Sequence, residues 1–204
     1  MIIEPYKGKY SSVLLFGPPG VGKGTLGRFL ASGGGQYHLS SGDIFRSLAS
    51  YSAAGKLFYQ HAKKGDLMPD SATVEIWKYY VNGLIATNSY YPESQYLLLD
   101  GIPRTLAQAQ MLDEFIEVRH IIVLESSNHE QLMDRLQCRA RSEGKIDEVD
   151  PKVIERRLDA YQNEIERLLS FYPNHLISKV NGEQRSLEVL RDVLVRLSHL
   201  LSKS

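Results

Sequence analysis

The feature that most constrains this 204-residue chain lies near its start. The string Gly17-Pro18-Pro19-Gly20-Val21-Gly22-Lys23-Gly24-Thr25 directly follows the apolar run Ser12-Val13-Leu14-Leu15-Phe16. An unbroken apolar run reads as a strand buried on both faces, and the residues from about Gly22 read as the opening of a helix. The glycines allow successive backbone N–H groups to turn inward around an anion, and the helix N-terminus adds its positive end. Lys23 is then placed to reach phosphate oxygens. A glycine-rich turn with a solvated lysine would not require strand, loop and helix to follow in this order.

Further compact apolar runs occur at residues 96–100, 120–124 and, more weakly, 176–180. Their hydrophobicity is continuous, which predicts a parallel sheet covered by helices on both faces. Ile154, Leu158, Tyr161, Ile165, Leu168 and Tyr172 step by threes and fours and predict one buried helical stripe. Leu187, Leu190, Leu194, Leu197 and Leu201 predict another, too short for a coiled coil and suited to packing on the sheet. Strands and helices alternate, so the fold class is α/β with right-handed crossovers. Two polar, poorly periodic intervals, about 40–70 and 141–150, read as insertions able to move relative to the sheet.

Charge narrows the function. Lys+Arg and Asp+Glu are equal at 24 each, which argues against coating DNA or an anionic membrane but leaves room for a small anionic ligand. The lone Cys138 excludes an internal disulfide and an all-cysteine zinc site, and it fits a reducing compartment. The first residues lack the pattern of a signal peptide, and no apolar run approaches the ~18 residues of a membrane span, so the expectation is a soluble cytoplasmic protein. His129-Glu130 begins like a zinc-protease helix, but Met133 stands where the second histidine belongs. No G-x-S-x-G elbow occurs, and no N-K-x-D string that would read guanine in a regulatory switch.

The phosphate loop departs from the commonest form, since Gly24 and not Ser or Thr follows the lysine, with Thr25 next. This GKGT ending, with Pro19 in the loop, resembles the nucleoside monophosphate kinases and the adenylate kinase family in particular. The resemblance implies a P-loop NTPase-type parallel sheet sandwiched by helices, with a small helical monophosphate-binding insertion and a short lid. It further implies one domain over 1–204, with its core at about 1–39, 71–139 and 151–204, the insertion at about 40–70 and the lid at about 140–150.

Ser40-Ser41-Gly42-Asp43-Ile44-Phe45-Arg46 is similar to the family's [ST]-[TS]-G-D-x-x-R, which puts Ser41 near the acceptor base and Arg46 on the acceptor phosphate. An arginine suits that task because its planar fork pairs with phosphate oxygens. The 64–70 turn is similar to G-x-L-V-P-D and brings in Leu67 and Met68. Asp100-Gly101-Ile102-Pro103-Arg104-Thr105 is similar to D-G-[FY]-P-R, with Ile102 where the family usually carries an aromatic. There Gly101 and Arg104 serve AMP, Asp100 serves Mg²⁺ through water, and Gln108 reads adenine. Arg135 and Arg139 match the helix entering the lid, stacking on the donor adenine and contacting donor phosphates. Arg157 matches the returning helix, and Arg141 or Lys145 stands for the usual lid arginine. The turn at 179–184 matches the segment beside the donor base and brings in Gln184.

By this resemblance Gly20, Val21, Gly22, Lys23, Gly24, Thr25, Arg135 and Gln184 bind ATP, while Lys23, Arg46, Arg104, Arg139 and Arg157 surround the moving phosphoryl group. The implied reaction is reversible transfer from Mg-ATP to AMP, giving two ADP and serving adenine nucleotide homeostasis. The implied partners are ATP and AMP or ADP, without nucleic acid or membrane, and the implied state is a monomer. A UMP/CMP kinase and a GTP-using AMP kinase stay open as alternatives, with a regulatory P-loop switch as a remote one. Gln108 and the D-G-x-P-R-T context favour AMP, whereas Ser41 in place of the commoner Thr leaves the donor base open.

Overall fold

A computed structural model of the chain describes residues 6–143 and 150–201. Five parallel strands form one sheet in the order β2-β3-β1-β4-β5. They are β1 (Tyr10–Phe16), β2 (Tyr37–Ser40), β3 (Leu97–Asp100), β4 (Ile116–Glu125) and β5 (Ile177–Asn181). The helices are α1 (Lys23–Gly34), α2 (Ser41–Arg46), α3 (Ala53–Ala62), α4 (Asp70–Ala86), α5 (Leu106–Leu112), α6 (His129–Glu143), α7 (Pro151–Ser170) and α8 (Ser186–Leu201).

The continuous hydrophobicity of the central strands has a simple cause. Successive residues of a strand point to opposite faces, and here both faces are covered. Leu14 and Phe16 of β1, Leu97 and Leu99 of β3, and Ile121 and Val123 of β4 join a core with α4, α5 and the second half of α7. Val13 and Leu15, Leu98, and Ile122 and Leu124 face the other way, against α1, α6, α8 and the first half of α7. Trp77 of α4, fully buried, anchors the first layer.

The stripe expected on α7 is present: Ile154, Leu158, Ile165 and Leu168 are buried and Tyr161 is partly so, while Tyr172, also buried, lies just past the end of the helix. The stripe expected on α8 holds at Leu197 and, partly buried, at Leu190, and is corrected at two positions. Leu187 is 71% exposed and Leu194 40% exposed, while Val189, Val193, Leu197 and Leu200 are buried. The buried set steps by four, four and three, so the face on the sheet is rotated toward the valines, and two of the leucines point to water. Strand β2 adds to the four expected strands; it is short and lies at the sheet edge.

Starting from the central β1, the chain builds β2 and β3 on one side and β4 and β5 on the other. The carboxyl end of β1 is therefore a topological switch point, where open parallel sheets leave a crevice for ligands.

Candidate active site

The loop between β1 and α1 occupies that crevice. Gly20 and Gly22 take φ values of +85° and +110°, a region that side-chain-bearing residues rarely enter, so the loop's curl depends on them. Gly22 caps α1 in the left-handed conformation and offers no side chain, and no acidic residue occupies the first turn. The helix N-terminus is thus left with donors and positive potential for an external anion. Lys23 Nζ donates back to the carbonyls of Gly17 at 2.7 Å and Pro18 at 3.1 Å.

Two adjoining cavities open from this loop. One is lined by Gly42, Phe45, Arg46, Phe58, Leu67, Met68, Gly101, Arg104, Gln108 and Arg157, together with Lys23. The other is lined by Val21, Thr25, Arg135, Gly182 and Gln184. Gly20, Gly22, Gly24, Arg46, Asp100 and Arg139 border both. The fold thus brings together nearly every residue singled out in the sequence, with base-sized space on either side of a shared cationic wall.

Ser41 is placed differently: it is buried and donates to the Gly101 carbonyl at 2.6 Å, tying the start of α2 to the loop after β3. Arg141 is an exposed residue near the C-terminal end of α6, and Lys145 falls outside the described residues. Ile102 is fully buried in the core, and aromatic residues lining the first cavity include Phe45 and Phe58. Their rings stack with centroids 5.8 Å apart and planes 26° apart. The Gln184 amide is held by the Asn181 carbonyl at 3.1 Å and Asp192 at 3.0 Å.

The electrostatics reflect this crowding. Burial pushes the Lys23 ammonium from 10.5 down to about 8; Asp100 pulls it back up, while the charges of Arg104, Arg139 and Arg157 lower it further. Burial alone would raise the Asp100 carboxyl, but the facing His38 ring and the Lys23 and Arg104 charges outweigh it and hold the group below its usual range. Arg104 donates from Nε to the Gly101 carbonyl at 2.8 Å, and Arg46 pairs with Asp43 at 2.9 Å.

Sequence reasoning missed His38, whose Nε2 lies 3.6 Å from Asp100 Oδ2 in a nearly buried pair. Among the described residues that nitrogen has no hydrogen-bond partner. Gly27 makes room for the ring, because a Cβ there would collide with His38, coming within 2.8 Å of its Cγ. Nothing in the local pattern of a lone histidine announces this role. Also missed was Glu183, whose Oε1 accepts from the Ser127 and Asn128 backbone at 2.7 and 3.0 Å and from the Ser126 and Ser127 hydroxyls at 3.1 and 3.2 Å. It fastens the donor-side turn to the lead-in of α6, the helix that carries Arg135 and Arg139.

A parallel sheet with a glycine-rich phosphate loop at its switch point, opposite a buried carboxylate on the neighbouring strand, defines a P-loop nucleotide-binding protein. Within that class, residues 15–177 match the family model for adenylate kinase. The adenylate kinase of Flavobacterium psychrophilum is 36% identical over 198 residues, spanning 94% of this chain and 98% of the relative. That of Thermobifida fusca is 34% identical over 192 residues, spanning 91% and 97%, and that of a Cyanothece species 30% identical over 197 residues, spanning 94% and 95%. The chain belongs to the adenylate kinase family.

Proposed function

We propose that the chain catalyses reversible transfer of the γ-phosphoryl group of ATP to AMP, giving two ADP, and so balances adenine nucleotides. The observation that carries this reading is the convergence of Lys23, Arg104, Arg139 and Arg157 on the wall of the first cavity, with Arg139 also bordering the second. Four cations around one point suit a phosphoryl group whose charge spreads over its oxygens during transfer.

The donor nucleotide takes the cavity bordered by Thr25, Arg135 and Gln184, with its phosphates on the loop N–H groups and Lys23. AMP takes the other, its base against Phe45, Phe58, Leu67 and Met68 with Gln108 at its edge, and its phosphate between Arg46 and Arg104. The acceptor oxygen then faces the γ-phosphorus with no covalent intermediate required. The 40–70 segment excludes water when it closes, which favours transfer over hydrolysis; most of the lid expected at about 140–150 lies outside the described residues.

Mg²⁺ fits this donor set. Asp100 presents hard carboxylate oxygen to both cavities, and a Cβ at Gly24 would stand 3.5 Å from its Oδ2. Among the described residues no group of three His, Cys, Asp or Glu forms a metal cage. A single carboxylate acting through water matches a cation that keeps several waters and takes its remaining ligands from phosphates. When bound, the metal neutralises phosphate charge and orients the β- and γ-groups.

Among the described residues no helix is long and apolar enough to cross a membrane. The test is a panel of AMP, UMP, CMP and GMP against ATP and GTP, with product nucleotides quantified. AMP-dependent ADP formation supports the reading, and its absence refutes it.

A further inference from the structure

Gln108 stands in the first turn of α5, 1% exposed and bordering the acceptor cavity. Its position is fixed at three points. Its backbone N–H donates to the Thr105 hydroxyl oxygen at 3.1 Å, its Oε1 accepts from the Arg104 backbone N–H at 2.8 Å, and its Nε2 donates to Asp70 Oδ1 at 2.8 Å. The Thr105 hydroxyl donates to the same Asp70 oxygen at 2.8 Å.

A carboxamide can be turned end for end, and only its neighbours decide which way it lies. Here both neighbours are unambiguous. A backbone N–H can only donate, and a carboxylate oxygen can only accept. Turning Gln108 over would set N–H against N–H and C=O against carboxylate, losing both hydrogen bonds and adding two repulsions. Each end keeps one further capacity: the amide nitrogen has a second hydrogen, and the oxygen a second lone pair.

We propose that Asp70 is a positioning residue for base selection. By locking the Gln108 amide it presents one acceptor and one donor in fixed order, which makes the acceptor site select 6-aminopurine over 6-oxopurine monophosphates. The two classes of base are mirror images at this edge. A 6-aminopurine offers a donor at N6 and an acceptor at N1, whereas a 6-oxopurine offers an acceptor at O6 and a donor at N1. A locked amide can satisfy only the first, and a site built to hydrogen-bond its substrate rejects a mismatched base because buried polar groups are left unpaired. Asp70 opens α4 and Gln108 lies on α5, so the lock also joins the end of the 40–70 segment to the core.

This inference rests on AMP being the acceptor. The test compares AMP with IMP, which differ at this edge alone, in the parent protein and in Asp70→Asn, whose amide can present either end to Gln108. The expected result is a preference for AMP in kcat/KM of at least about 100-fold in the parent, reduced at least about tenfold in Asp70→Asn, with the KM for ATP unchanged. A preference unchanged within about twofold, or equal weakening of both nucleotides, overturns the lock and leaves Asp70 a structural residue. A parent protein that does not use AMP overturns the proposed function itself. Should the variant not fold, ¹⁵N NMR of the parent decides the matter. AMP should shift a Gln108 side-chain amide proton that IMP leaves in place, and no shift with AMP overturns the proposal.

Discussion

Lys23 makes ATP binding a proton-uptake reaction. In the free site burial and three arginines hold its ammonium at about 8, against 10.5 for an ordinary lysine. Polyphosphate oxygens beside it restore the preference for the charged form, because an opposite charge within a few ångströms raises an amine. At pH 6.5 the free lysine is almost fully protonated and binding takes up about 0.03 proton; at pH 8 it takes up about 0.5 and at pH 9 about 0.9. The γ-phosphate has a pKa of about 6 and contributes little across the upper part of this range. Calorimetric titration with ATP, without AMP, in buffers of different ionisation enthalpy measures the uptake directly. Lys23→Arg keeps a charge that does not titrate and should abolish it. Uptake that is absent at pH 8 to 9, or that persists in Lys23→Arg, would refute the reasoning.

The same group sets a sign for stability. Between about 8 and 10.5 the unfolded chain holds the lysine proton while the folded chain has released it, so this group's contribution to stability rises with pH across that window. Below about 8 the charged lysine disfavours the folded, unliganded protein by about 3 kcal/mol, and bound phosphate offsets that penalty.

Three other perturbations probe separate parts of the structure. Val193→Ala, at a fully buried position of α8, should lower unfolding free energy by about 1–3 kcal/mol in denaturant titration, whereas Leu187→Ala on the exposed side should stay within about 0.5 kcal/mol. Glu183→Gln replaces the charged acceptor of four hydrogen bonds by a neutral amide oxygen; it should lower the Tm and raise the KM for ATP severalfold with the KM for AMP unchanged, as steady-state kinetics with each substrate varied will show. Gly27→Ala drives a methyl group into the His38 ring and displaces it from Asp100, so the Mg²⁺ concentration needed for half-maximal rate should rise although alanine is the better helix former.

What could be read from the sequence followed from locality. Strands β1, β3 and β4 are buried on both faces, and each shows this in a single apolar run. The phosphate loop and the arginines sit in short strings whose spacing places them on one loop or one helical face. Strand β2 escaped because Tyr-His-Leu-Ser is half polar and pairs on one side only, so its pattern differs little from a turn. The α8 face was misplaced because two valines, Val189 and Val193, less conspicuous than leucines, share the contact with Leu197 and Leu200. His38, Asp70 and Glu183 escaped for another reason: their partners lie on distant segments, 38 residues away for Asp70 and Gln108 and 56 for Glu183 and Ser127. No local window contains both members of such a pair.

A neutral chain that gathers this many cations at one crevice must keep them compatible before any phosphate arrives. For three of them the structure supplies a local acceptor. Lys23 rests on the Gly17 and Pro18 carbonyls, Arg46 on Asp43, and Arg104 on the Gly101 carbonyl. A phosphate therefore does not meet bare charge; it exchanges with weaker, neutral partners or with a solvent-exposed ion pair, and the net gain per contact is the difference between the two. For Lys23 that exchange carries a proton as well, since its free state is disfavoured enough to shed one near pH 8. The lysine thus couples the chemistry to occupancy. It becomes fully charged when polyphosphate is present, which is also when a fixed positive group can stabilise charge developing in transfer without reorganising around it.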